Sequence, residues 1–528
     1  MKLKAVFNYA LMVAFVISVF YTEVKAQQID PAILKSQWKA SWITVPGIND
    51  KGYGVYYFRK QVELASKPGK FVIHVSADNR YKLYVNEKLV SLGPASGDIA
   101  HWNFEMVDIA PYLISGKNII AAQVWNEGDW RPEAQISLRT GFILQGSAEA
   151  AILNTDTTWK CIADNSYSPL AVKTQAYHVA GPGIMIDMHT VSKNWQNTYM
   201  DDTKWNSAKL ISPGVPKNMN GEDVSTNAWL LQPSVLPQME LTYQRLAALR
   251  RATGAKVTAG FPAQKKQVII PANTTATILL DQGFLTNAYP TIAFGGGKGG
   301  AVSLTYAEAL YTKFPMKGNR NEVDGKIIIG RMDSVISDGT VGQQFTPFSW
   351  RTYRYLQLRI TTKSEALTID DVYGTFIGYP FKLNASIKAD NPDITKIMEI
   401  GWRTARLNAV ETYMDCPYYE QLQYIGDTRI QAMVSLYNSG DDKLIRNALN
   451  NMDNSRQPEG VTLSRHPSKT PQYIPTFSLW YLGMLHDYWM YGKDEAFVKD
   501  KLPGERQVLS FFKKYQQLPG RPTAIASR

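Results

Sequence analysis

Alternating apolar and polar positions dominate the first part of the chain. In KFVIHVSADNRYKLYVNEKLV the apolar side chains alternate from Tyr81 to Val85, the chain turns at Asn86-Glu87, and the alternation then resumes. A period of two residues is typical of a β-strand with one buried face. Together with NIIAAQVW and ISLRTGFILQG, this pattern predicts a β-sandwich domain over residues 38–212.

A second group of strand-like segments follows over residues 232–385. It contains KQVIIPA, ATILLDQG, GAVSLTYAEAL and RYLQLRITT. The GGGKGG stretch at 295–300 has glycine after its lysine, where a phosphate loop requires serine or threonine, and strands flank it on both sides. We therefore predict a strand-to-strand turn there and a second β-sandwich for the region.

The period changes from 2 to 3.6 near residue 390, which indicates helices over residues 386–528. NPDITKIMEIGWRTARLNAVE opens with Asn-Pro-Asp, a good helix start. DDKLIRNALNNMDNSR places one apolar face on a helix, made of Leu444, Ile445, Ala448, Leu449 and Met452. A further helix is predicted over residues 420–438, on which Glu420, Tyr424 and Asp427 would share one side.

The N-terminal residues have the layout of a secretory signal peptide. Two early lysines precede an apolar run from Ala5 to Tyr21, and the small residue Ala26 follows. We expect cleavage after residue 26 and export to the periplasm or the extracellular space; an uncleaved anchor is the alternative. No later run of 18 apolar residues exists, so we expect no membrane span in the mature chain.

Composition narrows the function classes. The chain has 528 residues and a net charge of +11, but its lysines and arginines are scattered, which argues against a nucleic-acid partner. Aromatic residues make up 12% of the chain, which fits either sugar binding or large aromatic cores. Cys161 and Cys416 show no ligand spacing, so no metal is expected; no dinucleotide fingerprint suggests a cofactor either.

The stretch MDCPYYEQLQYIGDTR concentrates carboxyl groups near one helix start. Like charges held close raise at least one pKa, and a protonated carboxyl in an aromatic pocket is what glycoside cleavage requires of its general acid. The helix N-terminus favours charge, so it would hold Asp415 ionised beside a protonated Glu420. Helix-capping acids would give a similar pattern, and the stretch alone leaves both interpretations open.

This stretch resembles the motif of the α-L-rhamnosidases of glycoside hydrolase family 78. That motif begins Asp-Cys-Pro and ends Gly-Asp, as this one does at Asp415 and Asp427. Glu420 matches the family's general-acid glutamate if one residue is deleted, and Tyr424 falls where the family has tryptophan. Tyr418-Tyr419 replaces the family's Arg-Asp pair, which leaves the exact sugar open.

The resemblance extends through WKASWI, DNRYKLYVNEK, FTPFSWRTYRYLQLRI and ASIKADNPDITKIMEIGWRTARLN. It implies two β-sandwich domains followed by an (α/α)6 six-hairpin barrel, with the first sandwich, over residues 38–212, similar to a carbohydrate-binding module. It also implies inverting hydrolysis of terminal α-L-rhamnosides in a rhamnose-containing oligosaccharide or glycoside. Glu420 would be the general acid, and Asp415 and Asp427 would hold sugar hydroxyls or set the pKa of the acid.

Further substrate contacts are predicted on the helical region. The loop QPEGVTLSRHPS would expose Glu459, Arg465 and His466 at one end of the barrel. Trp480 lies in the aromatic segment TFSLWYLGMLHDYWMYG, which would form either a sugar-stacking wall or a buried barrel helix.

An (α/α)6 barrel needs twelve helices, and residues 386–528 offer about half of them. We therefore expect an incomplete barrel, from a fragment or an early-stopped gene product, without the family's general-base glutamate and its histidine partner. A shortened family member that uses other groups is the alternative. Other functions stay open: a non-catalytic carbohydrate-binding protein, an inactive remnant, or a related six-hairpin glycosidase or lyase for another sugar. The sequence does not indicate an oligomeric state.

Overall fold

The computed structural model describes residues 29–174, 176–219, 229–492 and 494–516. The predicted signal peptide lies outside these residues. The strands are β1 Ser41–Thr44, β2 Tyr53–Leu64, β3 Val72–Asp78, β4 Arg80–Val85, β5 Lys88–Gly93, β6 Trp102–Asp108, β7 Gly116–Glu127, β8 Gly141–Gly146, β9 Lys160–Asp164, β10 Tyr167–Leu170, β11 Gly183–Asp187, β12 Asn206–Ser207, β13 Lys209–Pro213, β14 Val215–Pro216, β15 Leu230–Pro233, β16 Glu240–Gln244, β17 Ala248–Thr253, β18 Val268–Ile270, β19 Thr275–Gly296, β20 Ala301–Ala307, β21 Met332–Ile336, β22 Gln343–Phe345, β23 Arg351–Thr361 and β24 Leu367–Gly378.

The helices of the described residues fall into two groups. The α-helices are α1 Pro31–Lys35, α2 Pro392–Leu407, α3 Ile425–Ser439, α4 Lys443–Asn454, α5 Pro475–Tyr491 and α6 Glu495–Gln516. Short 3-10 helices span Ala110–Tyr112, Gly128–Trp130 and Ala148–Leu153. None of the α-helices described here combines the length and the apolar content that crossing a membrane requires.

The first sandwich packs a seven-stranded sheet, in the order β13-β1-β8-β3-β6-β15-β14, on a six-stranded sheet, in the order β12-β9-β2-β7-β4-β5. Alternate residues of the facing strands fill the core, with Phe58, Leu83 and Phe142 fully buried between the sheets. The predicted turn at Asn86-Glu87 is confirmed. Both residues have positive φ, 48° and 70°, as a two-residue hairpin turn requires.

The second sandwich is one continuous sheet that folds over itself. The first half of the long strand β19 pairs with β17 and β23, and its second half pairs with β24 and β22. The register shifts between Asp281 and Thr286, where the strand passes from one layer to the other. The GGGKGG stretch connects β19 to β20, with positive φ at Gly297 and Gly299, so the predicted turn is confirmed.

The two sandwiches interleave along the chain, where the sequence pattern predicted a single boundary between residues 212 and 232. Strands β10 and β11 fall inside the predicted first domain, but β11 pairs in parallel with β21 of the second sheet. Strands β14 and β15 lie beyond residue 212, yet β15 pairs with β6 of the first sandwich.

The helical region follows the second sandwich, so the predicted order of two β regions and one helical region is confirmed. Helix α2 begins after Asn391, whose side chain accepts the N–H of Asp393. Helix α4 buries all five residues of its predicted apolar face. Helices α3, α5 and α6 pack in sequence around a core that also includes Tyr379 and Phe381 from the end of the second sandwich.

Candidate active site

The first part of the stretch MDCPYYEQLQYIGDTR folds into a compact loop over residues 415–424, called here the acid loop. Asp415 closes it, because its N–H donates to the carbonyl of Leu422 at 2.8 Å and its carboxylate accepts the N–H of Leu422 at 3.0 Å. The N–H of Gln421 donates to the carbonyl of Cys416 at 2.9 Å, and Gln421 itself has a φ of 62°. The loop is thus held by its own backbone before any helix begins.

The acid loop rests on residues from distant parts of the chain. The hydroxyl of Thr352 on β23 donates to the carbonyl of Pro417 at 2.7 Å, and the Tyr418 hydroxyl donates to the carbonyl of Tyr306 on β20 at 2.9 Å. The N–H groups of Val179 and Ala180 both donate to the carbonyl of Tyr419, at 2.8 and 3.1 Å. Tertiary contacts therefore fix the loop, which local sequence patterns do not reveal.

Asp415 and Glu420 form a carboxyl pair on this loop. Carboxyl oxygens of the two side chains lie within 4.8 Å of each other. Burial, and after it the charge of Glu420, raises the pKa of Asp415 from its ordinary value of 3.8 to about 7. Two carboxyl groups in contact cannot both ionise freely, so the pair holds a proton near neutral pH. The expectation that the helix N-terminus holds Asp415 ionised is wrong, because burial outweighs the two backbone N–H groups it accepts.

The predicted helix over residues 420–438 begins later, at Ile425. Glu420 therefore lies in the acid loop, and Tyr424 is the residue immediately before the helix. Pro417 and the bonds that close the loop favour this extended path. Asp427 lies exposed in the first turn of α3, and the described residues offer it no hydrogen bond or ion pair. The predicted shared helical stripe of Glu420, Tyr424 and Asp427 is thus wrong.

Arg465 lies against Tyr424 and is buried. Its guanidinium donates to the Tyr424 hydroxyl at 2.8 Å, lies 5.5 Å from the centre of that ring, and pairs with Glu133 at 3.4 Å. Only 5% of Arg465 and 6% of His466 are exposed, so the predicted exposure of both is wrong. His466 instead faces Asp98 of the first sandwich at 3.0 Å.

Glu459 and Trp480, two further predicted substrate contacts, lie outside the acid loop. Glu459 is exposed, as predicted, in a loop whose Gly460 lies against the backbone of Gln507 on α6. Trp480 on α5 is 39% exposed and stacks on the Arg429 guanidinium at 4.9 Å. Their proposed contacts with a sugar stay predictions.

Sequence reasoning missed two groups beside the acid loop. Tyr177 is exposed and hydrogen-bonds the Arg465 guanidinium, while His178 lies 6.4 Å from the ring of Tyr419. Burial and the Arg331 charge lower the pKa of His178 to about 4, so it is neutral near pH 7. Both residues stand in YHVAGPG, a segment without periodicity that lies far from the motif in sequence.

The ligand atoms of Asp415, Cys416 and Glu420 all lie within 4.8 Å of one another, which is close enough to consider a metal ion. Burial raises the pKa of both Asp415 and the Cys416 thiol, and their protonated forms are poor ligands. The arrangement favours carboxyl hydrogen bonding over metal binding. That no metal participates stays a prediction.

In this architecture two β-sandwiches support a carboxyl pair at the entry of a helical-hairpin region. Residues 382–523 match the family model of the bacterial alpha-L-rhamnosidase 6 hairpin glycosidase domain. The resemblance predicted from the acid loop is therefore confirmed for the helical region. No curated protein sequence matches the chain.

Solved structures show the same fold across the sandwiches and the helices. A family 78 rhamnosidase of Bacillus sp. GL1 superposes with a TM-score of 0.76 at 16% identity, over 91% of this chain and 70% of that one. The alpha-L-rhamnosidase of Dictyoglumus thermophilum gives 0.67 at 18% identity, over 90% and 51%. That of Streptomyces avermitilis, complexed with L-rhamnose, gives 0.63 at 16% identity, over 88% and 42%. The chain thus spans about half or less of the length of the last two.

Proposed function

We propose that this protein carries the acid side of a site that hydrolyses terminal α-L-rhamnosides with inversion, and that Glu420 donates the proton to the leaving oxygen. The observation that carries the proposal is the Asp415–Glu420 pair, which retains a proton up to about pH 7. Asp415 can pass this proton to the neighbouring Glu420, which transfers it to the leaving oxygen, and the pair regains a proton from water before the next turnover. The L-rhamnose bound in the Streptomyces avermitilis structure supports a rhamnoside as substrate.

The pair supplies one catalytic function only. Inverting glycosidases separate their acid and base by about 6.5–9.5 Å, to leave room for water on the opposite face of the sugar. Carboxyl oxygens of Asp415 and Glu420 lie within 4.8 Å of each other, which is too close for one group to act as acid and the other as base on opposite faces of the sugar. The general base of the proposed reaction is therefore a different carboxyl group.

Substrate binding would use the aromatic and polar side chains around the loop. Tyr424 is oriented by Arg465, which anchors it to Glu133 of the first sandwich. On the other side, Lys317 donates to the Tyr419 hydroxyl at 2.8 Å and pairs with Glu308 at 3.1 Å. We propose that this cation takes the place of the arginine that the family carries in the motif.

Leaving-group dependence tests the acid role. Glu420→Gln should lower kcat for an alkyl α-L-rhamnoside by about 100-fold or more, because its leaving oxygen must be protonated. The same variant should stay within about tenfold of the parent on 2,4-dinitrophenyl α-L-rhamnoside, whose leaving group departs without a proton. Glu399→Gln, which changes an exposed carboxylate on α2 away from the loop, is the matched control. Equal losses on both substrates, or no rhamnose release by the parent, would contradict the proposal.

We also propose that the protein is exported. The support is the N-terminal layout of lysines, apolar run and Ala26. Mass spectrometry of the secreted protein should find an N-terminus near Gln27, and recovery of the uncleaved chain in the cytoplasm would contradict export.

A further inference from the structure

A cleft of about 490 Å³ lies between the two sandwiches, apart from the acid loop. One wall is the outer face of the six-stranded sheet, where Lys82 on β4 and Gln123 on β7 are cross-strand partners. The other wall is the second sandwich, on β19, β22 and β24. Its volume falls in the range of about 300–1,000 Å³ that small-molecule sites occupy.

The second wall has a regular chemistry set by strand pairing. Tyr289 is directly opposite Thr375, and Thr291 is directly opposite Tyr373, so tyrosines and threonines alternate across two strands. Residues two apart on a strand share a face, which brings all four into the cleft. Sheets that simply pack on each other present aliphatic side chains here. This face presents aromatic rings and hydroxyls instead.

The first wall adds a third aromatic ring and amide groups. Tyr84 sits two residues after Lys82 on β4 and packs edge-on against Trp195, with ring centres 5.1 Å apart. Gln123 lies on the floor, and Gln344 stands exposed at the rim on β22. Glutamine amides donate and accept, as sugar hydroxyls do.

Charge is almost absent from the lining. Among the residues that the structure describes, no acidic side chain lines the cleft and Lys82 is the one cation in its lining. Lys82 lies 4.8 Å from the centre of the Tyr289 ring and donates to the carbonyl of Pro347 at 3.3 Å. Burial, with the charge of Arg351, lowers the pKa of Lys82 to about 7. An anionic ligand or a nucleic acid would require several free cations. Leu89, Leu92 and Leu241 also line the cleft, but they are outnumbered by tyrosines, threonines and glutamines, which favours a polar ligand over a lipid.

We propose that this cleft is a second binding site that takes a neutral oligosaccharide. Tyr84, Tyr289 and Tyr373 would stack on the C–H faces of the sugar rings. Gln123, Gln344 and the Thr291–Thr346 hydroxyl pair, 2.8 Å apart, would bind the sugar hydroxyls. The site goes beyond the proposed rhamnoside hydrolysis and does not depend on it, because none of its residues belongs to the acid loop.

Calorimetric titration of the full chain at pH 7 tests the proposal, with three neutral probes and one charged probe of equal length. The neutral probes are β-1,4-galactotetraose, xylotetraose and α-1,5-arabinotetraose, and the charged one is tetragalacturonate. At least one neutral probe should bind, and tetragalacturonate should bind at least about tenfold more weakly. Absence of binding by all three neutral probes, or equal binding of the uronate, overturns the proposal.

Variants locate the binding. Tyr373→Ala should weaken it about tenfold or more, and Gln344→Ala, which alters only an exposed rim side chain, should weaken it severalfold without affecting the melting temperature. Tyr199→Ala removes a tyrosine that is 92% exposed elsewhere and should change nothing. Glu420→Gln should leave cleft binding intact, which separates this site from the proposed hydrolysis. Unchanged affinity in both cleft variants overturns the assignment.

Discussion

Asp415 and Glu420 hold carboxyl oxygens within 4.8 Å of each other across the turn of the acid loop, and the same Asp415 carboxyl group accepts the N–H of Leu422 at 3.0 Å. The carboxyl that closes the loop is thus also the one that retains a proton near neutral pH. Proton supply and loop geometry depend on one side chain, so changes at Asp415 should affect both.

The rate of rhamnoside hydrolysis should fall as the pH rises through about 7. The pKa of Asp415 is raised to about 7, so the pair keeps its proton below that pH and loses it above. Asp415→Asn should remove this step from the pH–rate profile, because the amide does not titrate. A profile measured from pH 5 to 9 checks the expectation, and an unaltered step in the variant would speak against it.

The Asp415 carboxyl should also make the stability of the protein depend on pH. Because folding raises the pKa of Asp415 above its ordinary value of 3.8, its contribution to stability is fully present below about pH 4 and is lost as the pH rises through 7. Asp415→Asn lacks this loss and should gain on the parent between pH 5 and 8, by on the order of 1 °C in melting temperature. Melting curves that shift in parallel would contradict this.

Arg80 and Glu411 join the first sandwich to the connection between α2 and the acid loop. Nη1 of Arg80 donates to Glu411 at 2.8 Å, and Ser96 donates to the same carboxylate at 3.3 Å. Glu411→Gln should cost about 1–3 kcal/mol in urea unfolding, because it leaves Arg80 with a neutral partner. Glu399→Gln, on the exposed face of α2, should stay within about 0.5 kcal/mol. If both substitutions lowered the free energy of unfolding equally, the Arg80–Glu411 ion pair would not be the cause.

Asp333 and Arg351 form a two-pronged ion pair in the second sandwich, and neither side chain is exposed. Asp333 also accepts the hydroxyl of Tyr306, whose carbonyl supports the acid loop. Asp333→Asn should cost about 3–5 kcal/mol of unfolding free energy, since it leaves the guanidinium buried without a counter-charge. The paired change Asp333→Leu with Arg351→Met should cost less. Denaturant unfolding of the parent, Asp333→Asn and the double variant measures these free energies. A larger loss in the double variant than in Asp333→Asn would contradict the expectation.

The hairpin turn offers a stabilising change. Glu87 has a φ of 70°, a conformation that costs a residue with a Cβ roughly 1 kcal/mol and costs glycine almost nothing. Glu87→Gly should therefore raise the free energy of unfolding by up to about 1 kcal/mol. Lys88→Gly, one residue later in β5, should lower it. A destabilised Glu87→Gly protein would show that another contact of Glu87 matters more.

Local sequence patterns correctly predicted the features that depend only on residues close together in the chain. The buried face of α4 and the Asn86-Glu87 turn follow from periodicity and turn chemistry alone. The pattern wrongly predicts helix for residues 420–424 of the acid loop. The groups that stabilise the loop, Thr352 and Val179 among them, come from distant parts of the chain, so local sequence does not reveal them. Arg465 was expected at the surface for the same reason, since its partner Glu133 is more than three hundred positions away.

The parallel pairing of β11 with β21 also bears on synthesis. Met185 pairs with Ser334, yet the first sandwich needs residues on both sides of β11 to close its own sheets. As the chain leaves the ribosome, β11 can pair with β10 at once, but its other edge stays unpaired until β21 of the second sandwich has been made. The first sandwich can thus fold early, while β11, which lies in one of its connections, keeps an exposed strand edge. A chaperone that covers exposed strands would be needed most during that interval.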